Sequence, residues 1–217
     1  MPCSCCQMEN NTFGEDQARA DIRSYRRRGP AKQTQLILDA IRSLKLKDAY
    51  LLDIGGGIGA IHHELLKDVA REATHVDASS AYLKEAKQEA ARRGHSDRVH
   101  FIHADFTDVA SELPSVDIVT LDRVVCCYPD FRGLLKAAAD HSQRALAFTY
   151  PRETWYLRLG LRIANFFQSL GKDPFRIFLH PIHEMDALLG KEGFERVTLR
   201  RLFVWEMALY QKSGGAA

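Results

Sequence analysis

No apolar run in the 217 residues reaches the ~18 needed to span a bilayer. The opening residues, MPCSCCQMENN, lack the apolar core of a secretory leader. The expectation is a cytoplasmic protein with no integral membrane association. An excess of one charge is missing too. Lys and Arg number 30 against 28 Asp and Glu, a net +2, which is too little for a nucleic-acid-binding surface. The basic run Arg23, Arg26, Arg27 and Arg28 beside Tyr25 reads as a solvated helix end. The five cysteines include one C-x-x-C, Cys3 to Cys6, with no second to pair with it. In a reducing compartment they are thiols rather than a disulfide framework. Internal repeats and low-complexity linkers are also absent.

What is present is an ordinary globular composition, 46% hydrophobic and 27% charged. Residues 1–30 read as a cysteine-containing tail followed by a charged cap helix (15–28) that Gly29-Pro30 ends. The main domain is expected over 31–217, with an insert at 151–190. An amphipathic helix spans 31–46, and strands then alternate with helices. Strands are expected at Tyr50–Ile54, Ala73–Val76, Val99–His103, Val116–Leu121 and Arg144–Thr149. Helices are expected at 59–70, from Ser79 or Ser80 to Arg93, and at 131–142. Continuous apolar strands separated by helices predict a parallel sheet covered on both faces. Glu195–Arg201 and Val204–Gln211 break the rhythm. Only Leu202 and Phe203 separate them, too few for a crossover, so that pair must be antiparallel. The fold class is α/β: a Rossmann-like three-layer sandwich with a seven-stranded, mostly parallel sheet and an antiparallel last strand.

The stretch LLDIGGGIG, 51–59, runs from a strand into a glycine loop, where a ligand meets the carboxyl ends of the strands. Gly55-Gly56-Gly57-Ile58-Gly59-Ala60 fits the dinucleotide pattern G-x-G-x-x-G/A. It also fits D-x-G-x-G-x-G from Asp53. Four features separate the two readings. Asp53 adds negative charge where a pyrophosphate would be repelled and a cationic ligand favoured. Asp77 ends the second strand, where an acid accepts from ribose hydroxyls in either kind of site. Asp105-Phe106 follows the third strand, where a carboxylate and an aromatic suit adenine. The terminal hairpin is foreign to the usual dinucleotide fold.

With these residues the chain resembles the class I S-adenosylmethionine-dependent methyltransferases. LLDIGGGIGA is similar to the first motif of that family, THVDAS to its ribose motif, IHADF to its adenine motif and VDIVTLDRV to its fourth-strand motif. The resemblance covers about residues 31–211. It implies S-adenosylmethionine as cofactor, with Asp53, Gly55, Gly57 and Gly59 at the methionine end. Asp77 and Ala78 would lie at the ribose, and Asp105 and Phe106 at the adenine edge. Asp122 would face the methionine moiety or the substrate.

Methyl transfer from a sulfonium is an in-line displacement in which the enzyme mainly supplies position. A general base is required only when the acceptor must lose a proton. The candidates are Tyr128, His180 and His183. The expected partner is a small-molecule substrate, methylated on a carboxylate or hydroxyl oxygen. Its pocket would draw on the insert, where Trp155, Leu159, Ile163, Phe166 and Leu170 fall at helical spacing beside Arg158 and Arg162. With FTYPR after the fifth strand, this layout is distantly similar to magnesium-protoporphyrin O-methyltransferases, whose acceptor is a propionate on a flat ring. VVCCYPD lies outside that likeness. The alternative is a non-catalytic cofactor-binding or metal-sensing protein on the same fold, in which Cys3, Cys6, Cys126 and Cys127, with Cys5 nearby, would gather a soft metal. Oligomeric state does not follow from the sequence.

Overall fold

The AYLLDI stretch forms a strand because it is apolar apart from Asp53 and, Tyr50 excepted, can be buried on both faces. In the computed structural model, which describes residues 13–155, 157–158, 160 and 177–214, it becomes β1 (Ala49–Ile54) at the centre of a sheet. β2 is Ala70–Asp77, β3 Val99–His103, β4 Val116–Leu121, β5 Ser142–Pro151, β6 Phe194–Arg201 and β7 Trp205–Lys212. The seven strands lie in the order β3-β2-β1-β4-β5-β7-β6. The first five are parallel, and β7 runs antiparallel to both β5 and β6. The reversed strand and the seven-stranded sheet agree with the sequence expectation.

Strand parity sorts the core into two layers. Leu52, Ile54, Val119, Leu121, Leu146 and Phe148 point to one face. Leu51, Ile118, Ala145, Ala147 and Leu209 point to the other. The first face is covered by α6 (Phe131–His141) and α7 (Ile182–Lys191), the second by α2 (Lys32–Ser43) and α3 (Ala60–Leu65). Burying a Leu or Ile side chain contributes ~1.5–3 kcal/mol, so each layer is a substantial source of stability.

Helix α3 is shorter than the 59–70 predicted. Ile61, Leu65, Leu66 and Val69 keep a helical apolar spacing, but the chain turns after Leu66 and β2 begins at Ala70. The Arg98 guanidinium donates to the carbonyls of Leu66, Ala70 and Arg71, at 3.0, 2.8 and 2.9 Å. A long-range cation thus satisfies carbonyls that a longer helix would have bonded internally.

The cap helix α1 (Glu15–Arg28) is bounded by Gly29 at φ 76°. Its basic end is more than a solvated run. Arg26 reaches Glu89 of α4 (Ser80–Arg93) at 2.9 Å, and Arg92 and Arg93 bond the same carboxylate. Burial pushes the Glu89 carboxyl up, but the three arginines outweigh it and hold it well below the usual carboxylate range. Tyr25 is buried, donates to Glu64 at 2.7 Å and lies under the Arg93 guanidinium. No helix among the described residues is long and apolar enough to cross a membrane.

Candidate active site at the strand ends

The chain leaves β1 for β2 on one side and reaches β4 on the other, so the carboxyl ends of β1 and β4 flank the switch in strand order. Two adjoining cavities open there, of about 180 and 420 Å³. Gly55, Gly57, Asp21, Tyr82, Asp122 and Arg123 border both. Val76, Asp77, Ala78 and Phe106 line the smaller, and Arg28, Lys32, Thr34 and Asp53 the larger.

Asp77 is the most firmly placed acid. Its Oδ2 accepts the Gly57 N–H and its Oδ1 the Ser79 N–H, both at 2.8 Å. Burial pushes its carboxyl up to about 6 against the pull of those two donors. Ser79 caps α4 through Tyr82 N–H and donates its hydroxyl to the Phe13 carbonyl at 2.8 Å. The loop, Asp77 and the residues leading into the cap helix are therefore one bonded unit.

Asp122 is held from two sides. Thr34 donates to Oδ2 and Thr149 to Oδ1, both at 2.6 Å. The Thr149 hydroxyl in turn accepts the Arg123 N–H at 2.8 Å. Arg123 sits at φ 63°, a left-handed conformation rare for a side chain with Cβ, and its Nε lies 3.8 Å from Asp122. Tyr82 donates to Asp21 at 2.7 Å, pinning α1 across the opening. Thr34, Thr149, Arg123, Tyr82 and Asp21 were not read from the sequence as site residues. Thr149 and Arg123 adjoin segments that were singled out, FTYPR and Asp122. Nothing in the sequence marks Thr34, Tyr82 or Asp21.

Asp53 differs from the arrangement expected of it. It borders the larger cavity but is only 1% exposed. On β1 it shares a face with Leu51, so its carboxylate turns under the loop. Oδ1 accepts the Thr120 hydroxyl at 2.9 Å and Oδ2 lies 3.2 Å from His62 Nδ1. Burial pushes the carboxyl up to about 6, opposed by His75 and the Thr120 hydroxyl. The loop glycines also answer to what lies beneath them. A Cβ on Gly59, at φ 80°, would fall 2.5 Å from His62 Cε1.

Asp105 caps α5 (Phe106–Val109) instead of lining either cavity. Its Oδ1 takes the Thr107 N–H and hydroxyl, both at 3.0 Å, and the Tyr128 hydroxyl at 2.5 Å. Phe106 does line the smaller cavity. Of the three residues considered for proton transfer, only Tyr128 lies on a cavity wall. His180 donates from Nε2 to the Tyr128 carbonyl at 2.9 Å and packs on Phe131, and burial holds its pKa below the ordinary value. It fixes the turn that carries Tyr128. His183 is exposed on α7, away from both cavities. Both histidines were expected at the site and lie outside it, because the segment before α7 clasps the Val125–Cys127 turn from behind; Phe178 N–H bonds the Cys126 carbonyl at 2.8 Å.

Cys126 is buried and Cys127 half-buried, and neither is in a disulfide. Cys127 reaches the smaller cavity, and both Sγ atoms lie 3.5 Å from the Arg123 carbonyl. The contact between them raises the Cys126 thiol and lowers that of Cys127. Cys3, Cys5 and Cys6 lie outside the described residues, as do Leu159, Ile163, Phe166, Leu170 and Arg162. Trp155 is exposed, and Arg158 is paired with Glu153.

Residues 51–144 match a protein family described as a methyltransferase domain. No curated protein sequence matches the chain. Among solved structures, magnesium protoporphyrin IX methyltransferase from Synechocystis PCC 6803, with bound SAH, has a TM-score of 0.68 at 19% identity, over 90% of this chain and 94% of that one. An O-methyltransferase family protein from Burkholderia thailandensis gives 0.72 at 15% identity, over 95% of this chain and 62% of that one. An O-methyltransferase family 2 protein from Planctomyces limnophilus DSM 3776, in complex with apigenin, gives 0.66 at 20%, over 97% and 65%. At these identities the likeness is one of fold.

Proposed function

We propose, for a chain that carries a methyltransferase domain of the class I S-adenosylmethionine-dependent fold, that it transfers a methyl group from S-adenosylmethionine to an acidic oxygen of a small molecule. The observation that carries this reading is the charge of the smaller cavity. Three carboxylates, Asp21, Asp77 and Asp122, border it, with Arg123 as the one cation among the described lining residues. Such a wall suits an adenosyl ligand that is itself cationic and has no phosphate.

The residues fit that ligand. Asp77, its two oxygens already oriented by Gly57 and Ser79, would accept from the ribose hydroxyls. Phe106, Val76 and Ala78 would enclose the adenine. The wall shared by the two cavities, with Asp122 and the Gly55–Gly57 backbone, would receive the methionine end, and Arg28 and Lys32 its carboxylate. When bound, S-adenosylmethionine supplies an activated methyl on a sulfonium. The chain supplies orientation through the Thr34–Asp122–Thr149 brace, and excludes water with α1. No histidine lines either cavity among the described residues, and the Tyr128 proton is engaged by Asp105. An acceptor that is already ionised, such as a carboxylate, needs no base there, and Arg123 is placed to hold it.

The test has two steps. Calorimetry should show binding of S-adenosylhomocysteine and none of NAD. Incubation with methyl-labelled S-adenosylmethionine and a fractionated small-molecule extract should label base-labile esters. Cofactor binding with no labelled fraction would favour a non-catalytic binding protein. Label stable to base would move the acceptor to a hydroxyl, nitrogen or carbon.

A further inference from the structure

Beneath the glycine loop, at the inner edge of the larger cavity, Asp53, His62 and His75 converge with no exposed surface to speak of, at 1%, 0% and 0%. His62 Nδ1 lies 3.2 Å from Asp53 Oδ2 and 3.3 Å from His75 Nδ1. One potential ligand atom from each of the three residues falls within 4.8 Å of the others. Hydrogen bonding alone cannot satisfy this group. A neutral imidazole has one N–H. If His62 gives its proton to Asp53, its Nε2 is left a bare acceptor, and His75 has nothing to offer the same Nδ1 except a lone pair. The Nε2 atoms of His62 and His75 have no hydrogen-bond partner among the described residues, and neither does that of neighbouring His63. A buried carboxylate between two imidazoles is also a buried negative charge, which proteins pair or use to hold a metal.

We propose that Asp53 Oδ2, His62 Nδ1 and His75 Nδ1 form a binding site for a divalent transition metal of the zinc type, lying under the loop and separate from the cysteines. A tetrahedral centre with arms of ~2.0–2.1 Å has edges of about 3.3 to 3.4 Å, close to the two separations observed. Gly56 supports the reading independently. Its φ is not in the left-handed region, yet a Cβ there would stand 2.6 Å from His75 Nδ1 and 2.9 Å from Asp53 Oδ2. The space beside the two ligand atoms is kept clear by a glycine whose own backbone does not demand one. Gly56 and Asp53 also border the larger cavity, which gives an ion, and a water as fourth ligand, a route in. The ion's role is structural: it ties β1, β2 and α3 together at the root of the loop, with no contact to a reacting atom.

The test uses the full chain, stripped of metal and titrated with cobalt(II). The expected result is one equivalent bound, with visible bands of a tetrahedral ion and no near-ultraviolet thiolate band. Binding should raise the unfolding temperature. It should be lost in both His75→Gln and His62→Gln, each checked for native circular dichroism. It should persist in His95→Gln, whose Nδ1 meets His63 at 3.4 Å without a carboxylate. If either ligand variant fails to fold, X-ray absorption on the zinc-loaded native chain decides: a nitrogen and oxygen shell supports the site. A sulfur shell, an absent cobalt spectrum, or binding retained in His75→Gln would overturn it.

Discussion

Asp53 is the last residue but one of β1 and Asp77 ends the neighbouring parallel strand β2, and burial pushes both carboxyls up to about 6, yet they serve opposite sides of one loop. Asp77 turns up, takes two backbone N–H groups and presents its edge to the smaller cavity. Asp53 turns down to Thr120 and the histidines. The difference comes from position along the strands, since Asp53 is level with His75 inside the sheet and Asp77 stands two residues further on, level with the loop. Two acids that a motif treats as one binding set are divided by how far along their strands they stand. The loop is consequently held between a polar site it serves and a buried polar cluster it rests on.

Removing the upper acid should have the largest effect. Asp77→Ala deletes the charged acceptor proposed for two ribose hydroxyls, each bond to a charged group being worth ~1.5–3 kcal/mol, so S-adenosylhomocysteine affinity should fall at least ~100-fold by calorimetry. An affinity within a few-fold of native would remove Asp77 from the ribose. On the lower side, Gly59→Ala meets both a left-handed backbone and a 2.5 Å clash with the His62 ring. It should cost about 3 kcal/mol or more in denaturant unfolding. Gly57→Ala, with Tyr82 at an ordinary 3.6 Å, carries only the backbone penalty of about 1–2 kcal/mol. Equal costs for the two would mean that the histidines do not support the loop.

Acid should separate the two faces further. The raised pKa of Asp77 favours its protonated form, so the folded state gains relative stability from that group as pH falls through about 6, while the ionised acceptor is lost. Cofactor affinity should therefore decline by up to about tenfold per pH unit below 6, with stability holding. Stability should give way only near and below pH ~4, as the Glu89 carboxylate, depressed by its arginines, takes up its proton. Affinity unchanged from pH 7 to 5 would contradict the assignment. The smallest effect belongs to Tyr82→Phe. Losing its bond to Asp21 should cost about 1 kcal/mol of cap-helix docking and weaken cofactor binding about fivefold, with the sheet unaffected in near-native hydrogen exchange.

The sheet was legible because parallel strands are written as continuous apolar runs, and because two residues between the last strands leave one topology. Helix α3 misled: its apolar spacing continues past the point where Arg98, distant in sequence, closes the turn. In the site, Asp77, Phe106 and Asp122 were legible from their place after strand ends. Asp53 was placed by motif, although it stands inside the strand, before the loop begins. Asp105 was more simply a cap, as Thr107 beside it indicates. Thr34 and Asp21 could not be found, since their partners are 88 and 61 residues away and only the fold brings them together.

Helix α1 has a kinetic consequence. Its fourteen residues are fastened over the opening by Asp21, Tyr25 and Arg26, each bonded to a different side chain of α3 or α4. Release of a ligand beneath it is expected to quicken when the helix lifts, and lifting breaks bonds that lie outside the chemistry. Turnover and residence time can therefore be tuned from the surface, at Arg26 and Glu89, by substitutions that never touch a bound molecule.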